Sequence, residues 1–443
     1  MGTETTVVAV SAPSHAADAA PQPAPLPAEG LYVHVPFCVS ICPYCDFVVY
    51  AGAAARGPTN RIVELVAALT QELELRADVV QRQAPGSAAR AALGSVYIGG
   101  GTPSLLTASQ VGSFLGRVDA RLGLAADAEI TLEANPGIDE MGDLRGFRAA
   151  GITRLSIGAQ SMDKAELRRL GRRHAPADVV AAFTAARDAG IGSLSLDLLS
   201  DIPGQTMASW QRTLQQALQL EPDHLSVYAL SLDDPDAEGL TGLDGDHLPV
   251  TPGARRWRER SRAAQSQERA AQMETLTDEM TTAAGLRRYE IANLARPGHR
   301  SRHNLLYWRR RPYLALGPGA HASDGRLRRS WNAARLDGYV AALSDGRLPP
   351  GGAEIIDAPT AIAESAMLGL RLTDGIAAEL ADDAGVAAAI AWARKQGLAE
   401  AADGRVRLTA RGRLLADEVF LRLLPDGTAA APIGSAAGSA PST

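Results

Sequence analysis

The sequence predicts an α/β fold built on a parallel sheet, with a smaller and mostly helical unit after it. Short β-rich runs recur along the first half, segments of helical spacing separate them, and several of those segments end in glycine. The runs are "LYVHV" (31–35), "SVYIGG" (95–100), "EITLEA" (129–134), "RLSIGAQ" (154–160), "SLSLDLL" (193–199) and "HLSVYAL" (224–230). Between the first two, "RIVELVAALTQELELRADVV" (61–80) places apolar residues three and four apart, the spacing of one helix face. "DLRGFRAAG" (143–151), "ADVVAAFTAARDAG" (177–190) and "SWQRTLQQALQL" (209–220) repeat that spacing, and two of them stop at glycine. Six β-α units in succession imply parallel strands, in an open doubly wound sheet or in a full or partial barrel.

The pattern divides the chain into five parts. Residues 1–29 are rich in Ala and Pro and read as a disordered leader. Residues 30–250 hold the β-α units. Residues 251–350 read as a connecting region, with a surface insertion near "RRWRERSRAAQSQERAAQ" and a Gly- and Pro-punctuated, site-bearing loop at 296–322. In 351–424, helices precede two short extended runs joined by "DG" (403–404), an order that resembles a winged helix. Residues 425–443 are low in complexity and read as a mobile tail.

Composition excludes several classes. A net charge of −6 gives no bulk attraction for nucleic acid. Residues 361–424 carry nine acidic and eight basic side chains, so the winged unit has no basic face and reads as a structural or docking element. No apolar run reaches the roughly 18–20 residues that cross a bilayer. The first 55 residues lack Lys and Arg, so no secretory n-region is expected, and three cysteines build no disulfide framework. The expected location is the cytoplasm.

Those cysteines carry the chemistry. Cys38, Cys42 and Cys45 lie in "FCVSICPYCDF" with C-x3-C-x2-C spacing. Buried unreactive cysteines would not crowd into eight residues. Structural zinc would need a fourth ligand, for which His34 is available, but no second C-x2-C knuckle exists. The reading preferred is a [4Fe-4S] cluster held by three thiolates, with one iron open to a ligand. "GGGTPS" (99–104) ends the second strand, where glycines let backbone approach a ligand. Polar residues expected at later strand ends are Glu133, Gln160, Arg172 and Asp197.

The cysteine spacing, with Tyr44 before the last thiol and "LYVHVPF" leading in, resembles the radical S-adenosylmethionine (SAM) superfamily. That resemblance implies a partial (β/α)6 barrel whose first loop carries the cluster, with SAM chelating the open iron. Over about residues 31–424 the motifs resemble one branch, the oxygen-independent coproporphyrinogen III oxidases and their relatives. The resemblance implies that Tyr32, Gly100, Gly101, Thr102, Glu133, Gln160, Arg172 and Asp197 contact SAM, with Tyr44 beside it.

Two features separate the oxidases of that branch from its haem chaperones. Oxidases resembling this chain carry a fourth cysteine where Phe47 stands. "HNLLYW" (303–308) matches a motif associated with the haem-binding relatives. The resemblance therefore implies a chaperone that binds haem, with His303 as a candidate axial ligand and Tyr307 and Trp308 as ring contacts. Arg309, Arg310 and Arg311 read as a solvated run. Expected partners are haem, apo-haemoproteins such as respiratory cytochromes, and an electron donor, with no nucleic acid and no membrane span. The alternatives are a radical-SAM oxidase and an iron- or redox-sensing winged-helix regulator.

Overall fold

The computed structural model describes residues 26–83, 92–232 and 241–425, so most of the predicted leader and tail lies outside the described residues. Strand β1 (Gly30–Val35) leads to β2 (Phe37–Cys38) and β3 (Tyr50–Ala51), which pair in parallel and hold the ends of the cysteine loop together. The alternation then runs α1 (Ile62–Gln83), β4 (Leu93–Gly100), α2 (Ala108–Leu122), β5 (Leu124–Ala134), α3 (Leu144–Ala149), β6 (Arg154–Gln160), α4 (Lys164–Arg169), α5 (Pro176–Asp188), β7 (Ser193–Ser200), α6 (Met207–Gln219) and β8 (His224–Ala229). Next come α7 (Pro252–Arg262), α8 (Gln267–Ala283), β9 (Arg287–Arg288), β10 (Asn293–Ala295), α9 (Arg302–Trp308), β11 (Tyr313–Leu316), β12 (His321–Ser323), β13 (Arg328–Asn332), α10 (Leu336–Ser344) and β14 (Gly351–Ile355).

The main sheet has twelve strands in the order β14-β13-β12-β11-β1-β4-β5-β6-β7-β8-β10-β9. Its central run, β11 to β8, is parallel, and both flanks are antiparallel. The sheet curls without closing, as a partial barrel does. Six strands came from the alternating pattern; the seventh parallel strand, β11, returns from far along the chain to pair with β1.

Alternation along each strand sets the two faces. Leu31, Val33 and Val35 of β1, Ile130 and Leu132 of β5, and Leu194, Leu196 and Leu198 of β7 are buried in the main apolar core. The intervening positions are polar: Tyr32 and His34, Thr131 and Glu133, Ser195 and Asp197. Partial barrel curvature turns that polar face inward. Caps fix the helices between strands. Thr107 and Gln110 form a reciprocal capping box on α2, and Asp163 accepts from Ala165 and Glu166 N–H at the start of α4.

The segment read as a surface insertion, 255–272, forms α7 and the first turns of α8 and is mostly exposed or half-buried, with Arg258 the exception, while α8 beyond it packs inward. Met273, Thr277 and Thr281 of α8 are buried, and Trp210 Nε1 donates to Met273 O at 3.1 Å. The charged, Gln-rich composition marks the outer face of a helix that packs on the sheet. Behind β11, the buried Glu72 carboxylate accepts from Gly317 N–H (2.9 Å), Tyr339 Oη (2.7 Å) and Asn332 Nδ2 (2.8 Å). That network ties α1 to the late strands.

The C-terminal unit has its own core around Val406, Val419 and Leu398. Its elements are α11 (Ala358–Arg371), β15 (Ile376–Ala377), α12 (Ala378–Ala381), α13 (Ala387–Lys395), β16 (Ala399–Ala402), β17 (Arg405–Leu408), α14 (Ala410–Leu414) and α15 (Ala416–Leu423). Asp403 and Gly404 turn β16 into β17 with φ of 53° and 71°, the paired positive values of a two-residue hairpin turn. Arg413 to Asp278 (2.6 Å) and Arg310 to Ala361 O (2.9 Å) link this unit to the barrel.

Candidate functional site

All three cysteines line one cavity of about 410 Å³ at the C-terminal ends of the parallel strands. Gly100, Gly101, Glu133, Gln160, Arg172, Asp197 and Tyr44 line the same cavity. This is the end at which β/α barrels build their sites.

Register explains why the thiols and glycines meet. β1 pairs with β4 so that Val35 is opposite Gly100, and Gly101 N–H donates to Val35 O at 2.8 Å. A Cβ on Gly101 would stand 2.6 Å from Phe37 O, and one on Gly100, where φ is 110°, would meet the His34 ring. Only glycine lets β4 pass this close to the cysteine loop. His34 Nε2 in turn bonds Val48 O at 2.8 Å, pinning the far end of the loop.

Each sulfur has a protein partner or a defined environment. Thr102 Oγ1 donates to Cys38 Sγ at 3.3 Å, and Arg172 Nη1 to Cys42 Sγ at 3.7 Å. Burial pushes the Cys38 thiol up to about 11 and the Cys45 thiol up to about 12, despite a hydrogen bond that pulls each down. Such thiols stay protonated at neutral pH until a cation holds the thiolate form. Three soft donors on one loop, all facing one open cavity, suit an iron-sulfur cluster with a free coordination position. That cluster would supply electrons and a binding point for SAM; the surrounding residues position and shield it.

Beneath the sulfurs, Glu133 accepts from Gly100 N–H (2.9 Å) and Tyr97 Oη (2.7 Å). Burial raises its carboxyl to about 7, with the Tyr97 hydrogen bond opposing and Asp197 adding to the rise. Asp197 accepts from Ser156 Oγ at 3.0 Å through both oxygens, and burial raises its carboxyl as well. Gln160 ends β6 at φ 63°, an uncommon backbone value for a residue other than glycine. Arg172 follows α4 rather than ending a strand, and also donates to Gly158 O at 2.8 Å and to Asn135 Oδ1. Burial pushes the Tyr44 hydroxyl well above its usual range.

Two predicted contacts stand behind this wall. Tyr32 Oη bonds His34 Nδ1 at 2.9 Å, and its ring packs on Tyr97, so neither the ring nor the hydroxyl lines the cavity. Thr102 is buried, receives Asn135 Nδ2, and acts through Cys38. The sequence reading missed Tyr97, Asn135, Arg154, Ser156, Ser226 and Tyr228, all of which line the cavity. Strand parity was the available signal, since Ser156 follows Arg154 and Tyr228 follows Ser226 on the inward face.

The second constellation differs more from expectation. His303 on α9 is fully buried at the barrel floor. Its Nδ1 bonds Ser95 Oγ at 2.9 Å and its Nε2 bonds Tyr307 Oη at 2.8 Å. Burial lowers the ring to about 3, so it stays neutral. Both nitrogens are committed, and in this conformation His303 offers none to a haem iron. Tyr307 packs edge-on against Tyr313 with ring centroids 4.7 Å apart. Trp308 alone of the three reaches an open crevice, under Arg371 at 4.2 Å. The expected solvated arginine run is partly engaged: Arg310 holds Ala361 O and Ser365 Oγ, and Arg311 pairs with Glu29.

Comparison with known proteins places this geometry. The radical SAM superfamily model matches residues 32–217, and the HemN C-terminal domain model matches 356–415. The chain is 37% identical over 410 residues to a Mycobacterium tuberculosis protein named heme chaperone HemW, covering 90% of this chain and 96% of that one. The chain belongs to the HemW family. A Bacillus subtilis HemW is 30% identical over 88% of this chain and 98% of its own length. The Escherichia coli HemW is 35% identical over 71% of this chain and 76% of that one. Among solved structures, Escherichia coli coproporphyrinogen III oxidase superposes with a TM-score of 0.72 at 23% identity, over 90% of this chain and 91% of that one. At that identity the match establishes a common fold and no common reaction. Membership of the radical SAM superfamily implies a [4Fe-4S] cluster and SAM, and the thiol-lined cavity suits both. Among the described residues no helix is long and apolar enough to cross a membrane.

Proposed function

We propose that the protein is a cytoplasmic haem chaperone that holds a [4Fe-4S] cluster through Cys38, Cys42 and Cys45, binds SAM, and delivers haem to apo-haemoproteins. The observation that carries this reading is near full-length similarity to relatives named haem chaperones. Phe47 supports it, standing 64% exposed where the oxidases of the branch carry a fourth thiol.

In this reading SAM occupies the cavity, with Gly100, Gly101 and Glu133 facing its amino-acid end and Gln160, Arg172 and Asp197 the remainder. Tyr44 borders it, while Tyr32 and Thr102 support the wall. Haem docks at the "HNLLYW" helix through Trp308. The crevice beside Trp308 measures about 780 Å³, within the common size range of small-molecule sites, and Arg309, Arg405 and Arg407 border it. Guanidinium groups there suit propionates. His303 and Tyr307 then hold α9 from beneath. Respiratory cytochromes are the proposed recipients, and an external donor reduces the cluster.

The oxidase reading keeps one supporting fact, the shared fold with coproporphyrinogen III oxidase. Anaerobic incubation with coproporphyrinogen III, SAM and a low-potential reductant, beside a haem titration followed in the Soret band, separates the two. Saturable haem binding without decarboxylation is expected; loss of the two propionate carboxyls from the substrate overturns the chaperone reading.

A further inference from the structure

Helix α7 bears directly on the cysteine loop, although its composition marks it as a surface segment. Arg258 is 3% exposed in the middle of that helix. Its Nε donates to Pro43 O at 3.1 Å, and Nη2 donates to Cys45 O at 3.1 Å and Asp46 Oδ1 at 2.5 Å. Its neighbour Trp257 packs with Tyr44, Leu170, Leu199 and Leu230 in a small apolar cluster beside the same loop. The guanidinium therefore spans the half of the loop that carries Cys42 and Cys45, donating to two backbone carbonyls and one carboxylate from a single planar fork. Between Pro36 and Tyr50 this loop has little regular structure of its own, apart from the short β2–β3 pair and the Cys45 N–H to Cys42 O turn at 3.1 Å. Something outside it must fix where its thiols point.

We infer that Arg258 is a positioning residue for the cluster: it sets the geometry of the Cys42–Cys45 segment and offsets the Asp46 carboxylate next to Cys45. The inference rests on the cluster reading of the three cysteines. It concerns α7, which no cysteine motif includes. Two consequences follow from the chemistry. Loosening the loop speeds loss of iron, because a ligand freed on one side rebinds less often; partners outside the ligand set commonly change metal affinity about 10- to 100-fold. Removing the cation leaves the Asp46 carboxylate without its offset, which stabilises the oxidised form relative to the reduced one, so the reduction potential falls.

The test uses full-length protein reconstituted anaerobically with iron and sulfide. Arg258→Ala, Arg258→Lys and, as a control on the exposed side of the same helix, Arg256→Ala are compared with the parent. Iron content, the rate of iron transfer to a chelator, and the cluster midpoint potential from an electron paramagnetic resonance titration are measured. Thermal melting of the iron-free proteins reports folding separately. The expected result for Arg258→Ala is chelation about tenfold faster or more, by the same outer-partner effect, and a more negative potential. Arg258→Lys, which keeps the charge and loses the fork, is expected to lose iron faster with a potential near the parent's. Arg256→Ala should match the parent in both. If Arg258→Ala proves too unstable to purify, the lysine variant decides the loop-holding role and Asp46→Asn the charge balance. Parent-like chelation and potential in the Arg258 variants overturn the inference, as does an equal change in Arg256→Ala. A parent that binds no iron at all refutes the cluster reading itself, which keeps the two failures distinct.

Discussion

His303→Ala separates the structural role assigned here to His303 from the haem-ligand role that the motif invites. The imidazole packs against Tyr97 and Tyr307, with ring centroids 5.3 and 5.1 Å away, and satisfies the hydroxyls of Ser95 and Tyr307. Truncating a large buried side chain costs about 2–5 kcal/mol. Each hydroxyl left unpartnered in the interior adds about 1–3 kcal/mol, partly relieved if water enters. These ranges sum to about 4–11 kcal/mol, and water entering the vacated space keeps the expected loss in the lower part, about 4–6 kcal/mol. Unfolding entropy is about 2 cal/mol/K per residue, so for a chain of 443 residues the melting temperature should fall by roughly 4–7 °C. The assay is thermal unfolding of the iron-free and haem-free protein followed by circular dichroism. His303→Gln, which retains a donor and an acceptor of similar reach, should recover part of the loss. An alanine variant that melts within about 1 °C of the parent and yet no longer binds haem would refute the buried-floor account and restore His303 as a ligand.

Other expectations follow from the same site. SAM affinity should depend on Glu133, whose carboxyl burial holds near 7 when no ligand is bound. A cationic ligand lowers that value, so affinity is full above about pH 7 and weakens up to about tenfold per pH unit below it. Calorimetric titration between pH 6 and 8 measures this, and Glu133→Gln should flatten the profile; an unchanged slope in that variant contradicts the assignment. Gly101→Ala forces a Cβ to within 2.6 Å of Phe37 O. The displaced loop should lower iron content on reconstitution and cost about 1–3 kcal/mol in denaturant unfolding, as overpacking typically does; parent-like iron content argues against the close approach. Glu72→Ala strips a buried carboxylate from Arg76, Tyr339, Asn332 and Gly317, and should destabilise the protein by about 3–5 kcal/mol without altering SAM binding to whatever protein remains folded.

The strands of the barrel were legible because apolar and polar residues alternate cleanly along them, as in "SLSLDLL" and "EITLEA". The cysteine loop was legible because three thiols in such spacing are rare enough to mean chemistry, and "GGGTPS" gained meaning only beside it. What the sequence hid is long-range. β11 pairs with β1 across some 280 residues, and no local pattern encodes that partnership. Tyr32 carries the right residue type at the right strand, but its hydroxyl turns to His34, a choice decided by side-chain packing. Arg258 and α8 were hidden by composition, since a charged helix reads as solvent-facing until its partner surface is known. "HNLLYW" showed the limit of a motif: the letters marked an important helix, while burial and hydrogen bonding decided which of its side chains can meet a ligand.

The central claim is that this chain carries haem to another protein. It is tested most directly by loading the purified protein with one equivalent of haem, mixing it with an apo-cytochrome, and following the recipient's Soret spectrum. The account predicts that the recipient's spectrum grows in as the chaperone's fades, with one haem moved per chain. Haem that stays bound to this protein, or that reaches the recipient no faster than free haem does, would contradict it.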